Sequence, residues 1–166
     1  MKAYLDNSAT TKPSAAVAAV VSEMLESGWY NPSALYKPAL ETQKRIEGVR
    51  EICLKAAGAA GQTIIFTSGG TEADNLALLG HLKSRRKPGR VLISSVEHPA
   101  VSACAEEIRK MGHTVEEIPA GKTGAVDLEK LEGMLDEDVL MISVMQVNNE
   151  TGAAEPRRIT WRCWVT

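Results

Sequence analysis

The sequence has few cysteines, and their arrangement excludes two kinds of stabilised fold. There are three, Cys53, Cys104 and Cys163, with no C-x-x-C pair among them. A disulfide framework or a structural zinc site needs clustered or regularly spaced cysteines, so we expect neither, and no metal site. Unpaired cysteines are typical of a reducing compartment, which predicts a cytoplasmic protein with Cys53 and Cys104 as small apolar residues on helices.

The sequence also lacks long apolar runs and blocks of like charge. No apolar run approaches the ~20 residues of a membrane-spanning helix, and the N-terminal MKAYLDNSATT has no signal-peptide-like apolar stretch. The formal net charge is −2, and the Lys and Arg residues are spread along the chain. These patterns predict no nucleic-acid partner and no membrane partner.

Short β-prone runs alternate with segments of helical periodicity. The predicted strands are TIIFT (63–67), RVLISS (90–95), HTVEEI (113–118) and DVLMISVM (138–145). The predicted helices cover 15–27, which Gly28 ends, and then 39–57, 71–84, 100–111 and 127–136. Strands and helices in alternation form βαβ units, which place the strands in a parallel, buried sheet. The predicted fold class is therefore α/β.

The segment FTSGGTEADN (66–75) is a candidate anion-binding turn. A strand followed by a glycine turn and a helix start presents free backbone N–H groups and the positive end of a helix dipole. Thr67, Ser68 and Thr71 can add hydroxyl donors. The segment is neither a GxGxxG nor a Walker loop, which leaves a single phosphate as the best fit. An ordinary turn capped by Ser68 or Thr71 explains the local pattern equally well.

Polar residues also follow two of the predicted strands. His98 comes after the strand at 90–95, and Asn148, Asn149 and Glu150 come after the strand at 138–145. Ligands of open α/β sheets bind at the carboxyl ends of the strands, so these residues and the glycine turn can converge on one crevice. His81 and His113 have no comparable context and are predicted to be surface residues.

The motifs together resemble a known family. YLDNSATT (4–11), NPSALY (31–36), IIFTSGGTEADNLAL (64–78), VEHPAV (96–101) and VNNETG (147–152) are similar, in order and spacing, to the NifS/IscS-type cysteine desulfurases. These are class V enzymes of PLP fold type I, dependent on pyridoxal 5′-phosphate. The resemblance implies a large domain of that fold over residues 1–156, incomplete as it stands. The following RRITWRCWVT departs from the family, and we expect residues 157–166 to be an aberrant tail of the kind that a frame shift produces.

The resemblance implies a role for four residues. Gly70 and Thr71 would hold the cofactor phosphate, His98 would stack on the pyridine ring and act as the catalytic proton carrier, and Asn149 would contact the ring oxygen. The family converts L-cysteine to L-alanine and passes the sulfur, as an enzyme-bound persulfide, to acceptor or scaffold proteins of iron–sulfur cluster or thio-cofactor assembly. Its members are homodimers.

The resemblance also identifies what this sequence does not contain. The family's cofactor-attaching lysine, pyridinium-binding aspartate and nucleophilic cysteine follow the NNETG motif, and no matching run is present. We therefore expect the N-terminal portion of a desulfurase, truncated and inactive by itself. The alternatives are another class V enzyme such as a selenocysteine lyase, and a phosphate-binding fragment without catalysis.

Overall fold

The computed structural model describes residues 3–155 and divides the chain into two compact units, which meet in sequence between Phe66 and Thr67. The predicted tail at 157–166 lies outside the described residues. Within the described range, no helix combines the length and the apolar content that crossing a bilayer requires.

The first unit contains two helices. Helix α1 spans Ala15–Ser27, and the Ser14 hydroxyl caps its start by accepting a hydrogen bond from the Val17 N–H. The predicted end of this helix is confirmed, because Gly28 occupies the C-cap. Helix α2 spans Lys37–Ala56 with a proline in its first turn, a position that needs no N–H donor. Helix α1 buries none of its residues in the structure.

The second unit is a parallel sheet flanked by helices. Its elements, in chain order, are α3 (Gly70–Lys83), β1 (Arg90–Ser94), α4 (Pro99–Ser102), α5 (Cys104–Lys110), β2 (Thr114–Ile118), α6 (Leu128–Met134) and β3 (Val139–Ser143). The strand order is β2-β1-β3, and β1 pairs in parallel with both neighbours. This arrangement confirms the predicted α/β class.

The central strand β1 packs on both faces, because successive side chains of a strand point to opposite sides. Val91 and Ile93 belong to one buried cluster with residues of α3, α4 and α5 (Leu78, Leu82, Val101, Cys104 and Ile108). Leu92 belongs to a second cluster with Ile118, Val126 and Leu131. The nearly continuous apolar sequence of β1 follows from this double coverage.

Three local predictions were wrong. Residues 63–67 form no strand in the structure, because no other described segment pairs with them. The helix predicted at 100–111 is divided into α4 and α5 at Ala103, whose N–H points to the carbonyls of Pro99 and Val101. His113 is buried rather than on the surface, and its Nδ1 accepts a hydrogen bond from the Gly89 N–H at 3.2 Å.

Candidate functional site

Two loops meet at one edge of the sheet. Because β1 and β3 are adjacent and parallel, their carboxyl ends lie at the same edge, and the loops that follow them (95–98 and 144–149, here the strand-end loops) are neighbours. The Met145 N–H donates to Glu97 Oε1 at 2.6 Å. Asn148 Nδ2 donates to the Val96 carbonyl at 3.0 Å. The structure thus brings His98 and Asn149 to one edge, as the sequence predicted from strand order.

The two asparagines after β3 have different surroundings. Asn148 Oδ1 accepts hydrogen bonds from the N–H groups of Glu150 and Thr151 at 2.9 and 2.8 Å, and from the Thr151 hydroxyl at 3.1 Å. Asn148 therefore organises the turn that carries the motif. Asn149 is exposed, and no group in residues 3–155 bonds to its amide. Only the second asparagine can offer an unused donor and acceptor to a ligand.

His98 is held by one ring nitrogen and leaves the other available. It is the N-cap of α4, and its Nδ1 accepts a hydrogen bond from the Ala100 N–H at 3.1 Å. When Nδ1 accepts in a neutral imidazole, Nε2 carries the proton. The ring is exposed, and Nε2 has no partner in the described part of the chain. A fixed imidazole with a free Nε2–H can stack on a flat group and exchange a proton with it.

The start of α3 is the candidate anion site. Its N-cap is Gly69, which has no side chain to occupy the first N–H groups of the helix. A Cβ placed on Gly70 would meet no atom within 4 Å beyond its chain neighbours and its own helix backbone, so no other described group packs against that point of the turn. The Thr71 hydroxyl is exposed and has no partner within the described residues. The backbone and Thr71 together can therefore receive a phosphate.

Two of the three predicted hydroxyl donors in this turn are already engaged. Thr67 Oγ1 donates to the Gly69 carbonyl at 3.1 Å. The Ser68 N–H and hydroxyl both donate to Glu72 Oε2 at 2.7 Å, and these bonds hold the pKa of the Glu72 carboxyl below its usual range. In this structure the Thr67 and Ser68 hydroxyls are thus engaged internally, and Thr71 is the available hydroxyl. The alternative of a serine or threonine N-cap is wrong, since Gly69 holds that position.

Helix α3 begins near the strand-end loops. Further along α3, Asn75 Oδ1 accepts a hydrogen bond from the thiol of Cys104 at 3.4 Å. Burial raises the pKa of this thiol, and the negative charge of Asp74 raises it further. A buried thiol with a raised pKa is a poor nucleophile, which agrees with Cys104 as a structural residue. Besides burial, the charge of Asp74 also raises the pKa of the Glu97 carboxyl, so the second turn of α3 lies near the loop at 95–98.

Glu97 is the carboxylate that the sequence reasoning missed. It is half-buried, and burial raises the pKa of its carboxyl group. The Met145 N–H opposes this shift, whereas the charges of Asp74 and Glu155 increase it. An acidic residue next to His98 was visible in the sequence, but its partner lies 48 positions away. No local pattern predicts a contact at that separation.

The available groups suit pyridoxal 5′-phosphate. An open helix start with a free hydroxyl matches a phosphate ester, an exposed imidazole matches a flat heterocycle, and an unengaged amide matches a phenolic oxygen. All four predicted residues (Gly70, Thr71, His98 and Asn149) present an unused group or open space. The residues present therefore fit this group chemically. In residues 3–155 no three His, Cys, Asp or Glu side chains form a cluster suited to a metal ion.

Comparison with known proteins identifies similar chains. One is named cysteine desulfurase IscS, from Dictyoglomus turgidum, and is 38% identical over 154 residues, covering 92% of this chain and 39% of the relative. A solved structure described as a NifS-like protein superimposes with a TM-score of 0.87 at 30% identity, over 94% of this chain and 43% of that one. A second, described as SspA in complex with cysteine, gives a TM-score of 0.85 at 28% identity, over 92% and 44% of the two chains.

These matches confirm the predicted resemblance and the PLP fold type I architecture. The chain spans about 40% of the length of the curated relatives it matches. The family model for class V aminotransferases matches residues 3–159, which is nearly the whole sequence. The chain therefore belongs to the class V aminotransferase family.

Proposed function

We propose that the chain forms part of the cofactor-binding domain of a pyridoxal 5′-phosphate-dependent cysteine desulfurase. The observation that carries this proposal is the set of unused groups on three neighbouring segments: the open start of α3 with Thr71, the free Nε2 of His98 and the free amide of Asn149. The names of the relatives support the choice of reaction. We assign residues 1–156 to this cofactor-binding domain.

Each residue has a distinct role in this proposal. The backbone N–H groups at Gly70 and Thr71, with the Thr71 hydroxyl, bind the phosphate ester. His98 stacks on the pyridine ring and carries a proton at Nε2. Asn149 donates from Nδ2 to the ring oxygen. When bound, the cofactor supplies an electron sink for the substrate's Cα.

The substrate and partners follow from the same proposal. L-cysteine is the substrate, and its sulfur passes to an acceptor or scaffold protein. The solved structure described as a complex with cysteine supports the choice of amino acid. We further propose that the complete enzyme is a homodimer, as the family resemblance implies.

A segment exchange tests the reaction. Residues 3–155 of this chain replace the matching segment of the Dictyoglomus turgidum relative, and the purified chimera is assayed for cofactor content and for L-alanine formed from L-cysteine. We expect cofactor binding and alanine formation, with both reduced when Thr71 or Asn149 is changed to alanine. A folded chimera that binds the cofactor yet forms no alanine would contradict the desulfurase assignment.

A ligand comparison separates this proposal from a general phosphate-binding role. The unmodified chain is titrated by calorimetry with pyridoxal 5′-phosphate, pyridoxal and glycerol 3-phosphate. Tighter binding of pyridoxal 5′-phosphate than of either pyridoxal or glycerol 3-phosphate supports a cofactor site. Equal affinity for the two phosphate esters would instead indicate a phosphate-binding fragment without a ring site.

A further inference from the structure

The two strand-end loops are joined by a hydrogen bond from a backbone N–H to a carboxylate. Glu97 Oε1 accepts from the Met145 N–H at 2.6 Å, across 48 residues of sequence. Glu97 precedes His98 directly, and Met145 begins the loop that leads to Asn149. The Glu97 side chain therefore helps to link the two segments that carry the groups proposed to face the cofactor ring.

The remaining contacts do not replace this one. Asn148 Nδ2 donates to the Val96 carbonyl at 3.0 Å, which joins the same loops at a second point. Beyond Asn149, the Glu155 N–H donates to the Gln146 carbonyl at 3.0 Å, but this bond lies within the loop's own return segment. The Met145 N–H has Glu97 as its acceptor in the described structure. Without that carboxylate the N–H would be partly buried and unpaired.

The half-buried position of Glu97 disfavours its charged carboxylate, so general stability does not explain why a carboxylate occupies this position. Burial disfavours its charged form, and Asp74 and Glu155 add like charge nearby. A polar or apolar side chain at this position would avoid that cost. A charge-assisted bond to a backbone N–H is, however, shorter and stronger than a neutral one, and so fixes the loop more tightly.

We infer that Glu97 is a positioning residue, which sets the spacing between His98 and Asn149 by holding the Met145 N–H. The inference rests on the proposed function, because the spacing matters only if both residues face one ring. Glu97 does not contact the phosphate site at the start of α3, whose donors are Gly70 and Thr71. Its loss therefore weakens recognition of the ring and leaves phosphate binding unchanged.

The test compares two ligands across three variants of the full 166-residue chain. Glu97→Ala removes the acceptor, Glu97→Gln keeps an acceptor oxygen without the charge, and Glu117→Gln removes an exposed carboxylate on β2 as the matched control. Affinities for pyridoxal 5′-phosphate and for inorganic phosphate are measured by calorimetry. Hydrogen exchange of the Met145 amide, followed by NMR, reports directly on the bond.

We expect Glu97→Ala to lower the affinity for pyridoxal 5′-phosphate by about tenfold, which corresponds to about 1.4 kcal/mol. Inorganic phosphate should bind as in the unmodified chain, and the Met145 amide should exchange faster. Glu97→Gln keeps an acceptor without the charge, so it should recover only part of the affinity and of the amide protection. Glu117→Gln should match the unmodified chain in both measurements.

The outcomes distinguish this inference from the proposed function. If the unmodified chain binds pyridoxal 5′-phosphate no better than inorganic phosphate, the proposed cofactor site itself is wrong. If it prefers pyridoxal 5′-phosphate and Glu97→Ala keeps that preference, the positioning role is wrong and the cofactor site stands. A parallel loss of both affinities would show a general structural role and would also overturn the inference.

Discussion

The hydroxyl of Thr71 allows cofactor binding to be separated from folding. It is exposed and has no partner in the described structure, so its removal leaves no buried group unsatisfied. The position lies in the first turn of α3, where alanine is at least as favourable for the helix as threonine. We therefore expect Thr71→Ala to change the free energy of unfolding by less than about 0.5 kcal/mol.

The effect of Thr71→Ala on ligand affinity should be much larger. A hydrogen bond to a charged group contributes about 1.5–3 kcal/mol, which corresponds to a loss of about 10- to 150-fold in the affinity for pyridoxal 5′-phosphate. Pyridoxal, which lacks the phosphate, should bind the variant and the unmodified chain equally. Calorimetric titration measures both ligands, and urea unfolding followed by circular dichroism measures stability.

Two control variants separate the effect of the Thr71 hydroxyl from the effect of removing any exposed hydroxyl. Thr71→Ser keeps the hydroxyl and should retain most of the affinity for pyridoxal 5′-phosphate. Thr123→Ala removes a second exposed hydroxyl that also has no partner within the described residues, and should change nothing. The reasoning is refuted if Thr71→Ala binds pyridoxal 5′-phosphate with unchanged affinity, or if it loses affinity for pyridoxal to the same extent.

Further predictions concern packing, pH and catalysis. Gly89→Ala places a Cβ 2.6 Å from Leu140 Cγ, and this overpacking should lower the free energy of unfolding by about 1–3 kcal/mol. Gly133→Ala lies in open space on α6 and should instead raise the free energy of unfolding by about 0.5–1 kcal/mol. Urea unfolding of both variants measures these changes. Burial and, second, the charge of Arg85 lower the pKa of His81 below its ordinary value of 6.5. As the pH falls, His81 is therefore protonated in the unfolded chain before it is protonated in the folded chain. The contribution of His81 to the free energy of unfolding should be fully present above pH 6.5 and should be lost as the pH falls below it. Thermal unfolding of His81→Gln between pH 7 and pH 5 should lack this pH-dependent loss. The unmodified 166-residue chain, mixed with pyridoxal 5′-phosphate and L-cysteine, should form no alanine by chromatographic analysis, because the resemblance places the cofactor-attaching lysine and the nucleophilic cysteine in runs that this sequence lacks. Measurable turnover would contradict that expectation.

Local sequence patterns predicted the elements that local interactions specify. The three strands of the sheet and the helix starts at Ala15 and Gly70 lie close to their predicted positions, because capping and apolar periodicity act over a few residues. The meeting of His98 and Asn149 at one sheet edge was also predictable, since parallel strands end on the same side. The segment at 63–67 has strand-like composition but no strand, because β structure needs a partner that composition does not supply.

The sequence by itself therefore determined the α/β class and the family resemblance, and it predicted the four residues of the proposed cofactor site. The tertiary structure decided which polar groups remain available to a ligand. Ser68 is engaged by Glu72, Asn148 by its own turn, and His98 Nδ1 by α4, which leaves Thr71, Asn149 and His98 Nε2 unengaged. It also revealed that Glu97 joins the two strand-end loops. The reason is physical: a residue type sets what a side chain can donate or accept, and only folding brings together the distant groups that satisfy it.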